Sequence, residues 1–140
     1  SIIIKKKYIL NDEKEKKKNK YSRAILNFGH TFGHALEAYY KYSNKLTHGE
    51  AIAIGMIIAG TISYKLKYMS LNELNKIKFH FNSNKLPLFD VNMYNKQIFK
   101  IIQKDKKNLN GMINFVLLKN IGSAFLKSNL SLEKIKKVLN

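Results

Sequence analysis

The sequence has no cysteine and no tryptophan, one proline, and one arginine, Arg23, among its 26 basic residues. Without cysteine there are no disulfides, no thiolate metal sites and no cysteine nucleophiles, which fits a reducing, cytoplasmic setting. One proline and 7 glycines in 140 residues argue against a turn-rich β-sandwich and against low-complexity linkers. The longest apolar stretch, residues 51–62, is well short of the ~20 residues that span a bilayer. No signal peptide with an apolar centre opens the chain. Gly-x-Gly-x-x-Gly, a Walker loop and His-Glu-x-x-His are all missing. What is present, 45% hydrophobic residues, suffices for one core. The expectation is a soluble, mainly α single domain over residues 1–140.

Acidic residues are also scarce. Asp and Glu number 9 against 26 Lys and Arg, for a formal charge of +17. Such a balance raises nucleic acid, an anionic membrane or an anionic substrate as partner. Lys, Asn and Ile are heavily used throughout, however, and a selected phosphate-binding surface would favour arginine forks. The bulk charge therefore reads as solvated surface, and the single Arg23 gains interest.

Apolar residues at three- and four-residue steps (Ile25, Phe28, Phe32, Ala35, Leu36, Tyr39, Tyr40) predict a helix over 24–42. Thr47-His48-Gly49-Glu50 reads as a capping box opening a helix over 51–69, apolar nearly all round and so central. Ser70-Leu71-Asn72-Glu73 reads as a second box, with an amphipathic helix running toward Phe81. A helix over 92–104 is expected to turn Ile98, Ile101 and Ile102 inward. A small β-hairpin near 112–126 and a terminal helix carrying Leu132, Ile135, Val138 and Leu139 complete the chain. The run from Asn11 to Lys20 reads as solvated and without function.

The chemistry concentrates in residues 23–48. On one continuous helix, Arg23, Asn27, His30 and His34 share a face. A cation, an amide and two imidazoles make a poor core face. Gly29 and Gly33 each cost a helix ~1 kcal/mol against alanine, and they would leave room for a ligand to approach. His48 lies at the start of the next helix, where the dipole is unfavourable to a cation. Neutral imidazoles suit a divalent metal, zinc above all. Three histidines cannot close a four-ligand structural site, so an open site completed by a carboxylate from elsewhere fits better. Glu37, three residues after His34, reads equally as a ligand or as a surface residue. His80 stands alone on an amphipathic helix and reads as structural.

Arg-x-x-Leu-Asn-x-Gly-His-Thr-x-Gly-His-Ala-x-Glu at Arg23–Glu37 and His-Gly-Glu-Ala-x-Ala-x-Gly-Met at His48–Met56 resemble the metal-binding, helical C-terminal domain of the 3-dehydroquinate synthase family. Asp12 to Glu15, Asp105-Lys106-Lys107 and Phe115 to Gly122 extend the resemblance over nearly the whole chain. It implies a lyase of the shikimate pathway of aromatic amino acid biosynthesis. This enzyme converts 3-deoxy-D-arabino-heptulosonate 7-phosphate to 3-dehydroquinate and phosphate with catalytic NAD and zinc (or cobalt). It further implies that His30 and His48 bind the metal, with a third ligand, a Glu, N-terminal to Ser1. His34 and Asn27 would serve catalysis and substrate binding, with Arg23 and Lys106 (or Lys107) also binding substrate. Lys5, with Lys6 and Lys7 as rivals, would meet the carboxylate end. A homodimer is implied, with no nucleic-acid or membrane partner. An NAD-binding domain absent from this chain would complete the enzyme, so the 140 residues alone are expected to be inactive. The competing readings are a sister cyclase acting on another sugar phosphate such as sedoheptulose 7-phosphate, a basic nucleic-acid-binding module, and a non-catalytic zinc-binding domain.

Overall fold

The computed structural model describes residues 2–12, 22–104 and 112–139. Among the described residues, six helices and a two-stranded hairpin follow one another as α1 (Ile2–Asn11), a 3-10 segment (Arg23–Asn27), α2 (His30–Tyr39), α3 (His48–Lys65), α4 (Leu71–Ser83), α5 (Lys96–Lys104), β1 (Met112–Asn120), β2 (Ser123–Ser131) and α6 (Leu132–Leu139). This is the mainly helical architecture with a terminal hairpin that the sequence predicts.

Helix α3 is the axis of the core. Ile54, Ile58 and Ile62 are fully buried, and around them pack Leu36 of α2, Ile98 of α5, Leu117 of β1 and Ile135 of α6. Its start is fixed as the sequence predicts. The Thr47 hydroxyl accepts from the Glu50 N–H, and the Glu50 carboxylate accepts from the Thr47 N–H at 2.8 Å. These bonds to Thr47 hold the Glu50 carboxyl below its ordinary range.

The second box forms only by half. Ser70 caps Glu73, but the Glu73 carboxylate turns outward and accepts the Ile121 N–H at 2.8 Å, pinning the tip of the hairpin. Helix α5 starts at Lys96, four residues later than predicted, because the Asn95 side chain accepts the Gln97 N–H and caps it there. Ile98 and Ile102 are buried as expected, Ile101 only partly, and Phe99 joins them. The hairpin runs to Ser131, longer than predicted, with Leu117 opposite Phe125 and a register shift between Ile113 and Phe115. Both faces of β1 are covered. Ile113, Phe115 and Leu117 enter the main core, and Leu118 joins Met69 and Leu74 in a smaller cluster beneath α4.

Ser63 ties the hairpin to the axis. Its buried hydroxyl donates to the Ala59 carbonyl at 2.7 Å and accepts the Leu118 N–H at 3.0 Å. Ser63→Ala leaves that buried N–H without its acceptor, and the expected loss is about 1–3 kcal/mol. Urea unfolding of wild type and variant checks this, with an unchanged midpoint as the contrary result.

The predicted continuous helix over 24–42 does not form. The chain makes a 3-10 turn, then Gly29 adopts a left-handed φ of 84° and starts α2 afresh. The cause is tertiary. A β-carbon on Gly29 would stand 2.6 Å from the Met56 side chain and 2.7 Å from its backbone nitrogen. One on Gly33 would stand 2.6 Å from Ile52, and one on Gly55 would run into the carbonyl oxygen of Gly29 and come within 2.8 Å of the Gly33 nitrogen. The three glycines let α2 and α3 meet backbone to backbone. The space beside the imidazoles is filled by α3 rather than kept for a ligand.

Candidate functional site

The close approach of α2 and α3 sets where the histidines sit. His30 opens α2, His34 follows one turn later, and His48 is the first residue of α3. The ring centroids are 5.2 Å apart for His30 and His34, 6.2 Å for His30 and His48, and 6.0 Å for His34 and His48. Three imidazoles from two motifs thus lie near one another, but the described donors close enough to share one ion are His34, Glu37 and His48, with His30 outside that group.

Each ring is held differently. The Nδ1 of His30 lies 3.3 Å from the Phe28 carbonyl oxygen. A carbonyl only accepts, so Nδ1 carries the proton in that contact and Nε2 keeps its lone pair. Burial, the largest influence, lowers the His30 pKa from its ordinary 6.5, with the neighbouring His34 and His48 acting in the same direction. Neutral imidazole is the form a metal requires. His48 is exposed, and its Nδ1 lies 2.9 Å from Oε1 of Glu37, a side chain only 13% exposed. Donor atoms of His34, Glu37 and His48 all lie within 4.8 Å of one another, a grouping compatible with a cation. This donor set, imidazole nitrogens with one carboxylate, is the kind zinc or cobalt takes.

An open cleft of about 560 Å³ lies against this group, lined by Thr31, His34, Glu37, Tyr42, His48 and Lys104 among others. That volume is in the range of small-molecule sites. Tyr42 and Lys104 at this cleft went unnoticed in the sequence, because only the packing of α5 on α2 brings residue 104 to residue 34.

The predicted stripe of four residues on one helix face does not exist, since the break at Gly29 separates Arg23 and Asn27 from α2. Asn27 is exposed at the end of the 3-10 segment and lines a small crevice with Gly29, Thr31 and Phe32. Arg23 is partly buried at the start of that segment, and its backbone N–H donates to the buried Asp12 carboxylate at 3.0 Å. Asp12, expected to be solvated, instead anchors the approach to the site. Lys5, Lys6 and Lys7 are exposed on α1, which packs on the 3-10 segment. Lys106 and Lys107 lie outside the described residues, as do Glu13 and Glu15. His80 is exposed on α4, edge-on to Phe81. Among the described residues no helix is long and apolar enough to cross a membrane.

Residues 1–108 match the family described as 3-dehydroquinate synthase C-terminal. The chain is 44% identical over 126 residues to the 3-dehydroquinate synthase of Clostridium botulinum (strain Alaska E43 / Type E3), covering 89% of this chain and 34% of that protein. It is 37% identical over 136 residues to the 3-dehydroquinate synthase of Acinetobacter baylyi (strain ATCC 33305 / BD413 / ADP1), covering 97% and 36%. The chain therefore spans about a third of the length of the curated relatives it matches. Among solved structures it is similar to 2-deoxy-scyllo-inosose synthase complexed with carbaglucose-6-phosphate, NAD+ and Co2+, with a TM-score of 0.70 and 28% identity over 89% of this chain and 34% of that one. It shares its fold with 2-epi-5-epi-valiolone synthase from Streptomyces hygroscopicus subsp. jinggangensis 5008 with NAD+ and Zn2+ bound, at a TM-score of 0.76 and 18% identity over 97% and 36%.

Proposed function

The chain belongs to the 3-dehydroquinate synthase family, and from that premise we propose that it is the metal-binding helical part of an enzyme converting 3-deoxy-D-arabino-heptulosonate 7-phosphate to 3-dehydroquinate and phosphate. The observation that carries this reading is the convergence of His30, His34 and His48 from the two motifs beside an open cleft. His30 and His48 would hold zinc or cobalt, each through the Nε2 that its Nδ1 contact leaves unprotonated. The third ligand, a Glu, and an NAD-binding domain would come from a part of the enzyme outside this chain. When bound, zinc would supply Lewis-acid stabilisation of negative charge on a substrate oxygen, and NAD would supply a reversible hydride acceptor.

The chain's own residues bind and orient. His34, exposed on the cleft side of α2, donates to the anionic end of the substrate. Arg23, Asn27 and Lys106 supply a guanidinium, an amide and an ammonium for phosphate and hydroxyl oxygens, and Lys5 an ammonium for the carboxylate. Holding one flexible sugar phosphate through successive steps is the main demand on such a site, and it is met by position rather than by a nucleophile.

The likeness to inosose and valiolone synthases supports a second reading, a sister cyclase that acts on a different sugar phosphate with the same site. One assay separates the two. The complete open reading frame is incubated with NAD, zinc and either 3-deoxy-D-arabino-heptulosonate 7-phosphate or sedoheptulose 7-phosphate, and phosphate release is followed with a chelator control. Chelator-sensitive release from the first, with 3-dehydroquinate as product, is expected. Release only from the second would transfer the assignment to the sister enzyme. The 140-residue chain alone is expected to release none from either.

A further inference from the structure

Glu37 is the one carboxylate in the described cluster of metal-compatible donors. It sits on α2 one turn after His34 and reaches across to the first residue of α3, so it links the two helices at the site itself. We propose that Glu37 is a positioning residue. By accepting the Nδ1 proton of His48, it fixes the ring's orientation and tautomer and turns Nε2 toward the ion. The proposal rests on the metal reading above.

Geometry separates this role from that of a ligand. Two donors on one tetrahedral zinc, each about 2.0–2.1 Å away, stand about 3.3 Å apart. Oε1 of Glu37 and Nδ1 of His48 are 2.9 Å apart, a charge-assisted hydrogen-bond distance that leaves no place for an ion between them. The acceptor must be the carboxylate, so the proton belongs to Nδ1. The His48 side chain is 62% exposed, its ring meeting those of His30 and His34, whereas the Glu37 side chain is 13% exposed and so the more confined of the two. The ordered partner therefore orients the loose one. A carboxylate behind a metal-binding imidazole also raises the basicity of the ligating nitrogen.

The experiment uses the complete protein. Zn2+ affinity is measured by competition with a chromophoric chelator for wild type, Glu37→Gln, Glu37→Ala and His48→Ala, each checked for folding by circular dichroism. Ring 15N shifts of His48 are recorded in the metal-free protein at pH 8, above the ordinary imidazole range. Glu37→Ala is expected to lose about 10–100-fold in affinity, and Glu37→Gln, whose amide oxygen still accepts, less than about 10-fold. Wild-type His48 is expected as the Nδ1–H tautomer, a preference that Glu37→Ala abolishes. Affinity within twofold of wild type in Glu37→Ala, with His48→Ala losing the metal, overturns the proposal alone. Complete loss in both Glu37 variants makes Glu37 a ligand and also overturns it. Full affinity in His48→Ala removes the metal reading and the proposal with it.

Discussion

In the complete enzyme His30→Ala is expected to lose its metal, while His34→Ala keeps the metal and loses turnover. The two rings are one helical turn apart on α2 and 5.2 Å apart, so proximity does not distinguish them; their environments do. His30 lies partly desolvated against the α2–α3 contact, its Nδ1 tied to the Phe28 carbonyl. Burial lowers its pKa, and its tether leaves Nε2 free of the Phe28 contact. On the proposed reading its removal takes away a ligand, and the affinity loss should then exceed the about 10–100-fold typical of losing only a supporting partner. His34 is exposed and borders the cleft, and on the proposed reading it meets the substrate there. Losing a donor aimed at developing charge costs about 10²–10³ in kcat. Metal content by atomic absorption and phosphate release measured on the same preparations check both statements. Equal metal loss in the two variants would overturn this division of roles and make His34 a ligand beside His30, whereas loss in His34→Ala alone would favour coordination by His34, Glu37 and His48, the set whose donor atoms lie within 4.8 Å of one another.

Gly55→Ala is expected to be the most disruptive glycine-to-alanine change among the described residues. The added carbon would collide with the carbonyl of Gly29 and the backbone nitrogen of Gly33, neither of which can rotate aside. Overpacking of this kind costs on the order of 3 kcal/mol or more when backbone must move. The same displacement separates α2 from α3, and so His30 and Glu37 from His48. The variant should therefore lose metal affinity along with thermal stability, though residue 55 is no ligand. Gly49→Ala is the control. Its β-carbon meets nothing within 4 Å among the described residues, and alanine is the better helix former. Thermal unfolding of both, with and without Zn2+, tests the pair; equal melting temperatures would overturn the packing account.

The sequence was most legible where the signal is local. The Thr47–Glu50 box, the apolar axis of α3 and the hairpin before α6 were all readable, because capping, periodicity and turn chemistry act over a few residues. The Ser70–Glu73 pattern shows the limit. Its sequence is that of a full box, yet Glu73 bonds to Ile121, 48 residues away, because the hairpin offers it a better-placed donor. Glu37 was ambiguous for the same reason. Its spacing from His34 was visible, but its partner lies on another helix.

By itself the sequence determined the helical class, the capped start of α3 and the two ordered motifs that carry the imidazoles at 30, 34 and 48. Their ordered motifs also determined the family. Only the tertiary structure decided the purpose of the glycines and the shape of the site. Helical periodicity ran unbroken through Gly29, because propensity does not register a second helix packed against it. The contact of α2 with α3 forces the left-handed turn at Gly29, detaches Arg23 and Asn27 from the histidine helix, and carries His48 to the others. Distances between residues far apart in the chain arise from packing, and no local pattern encodes them.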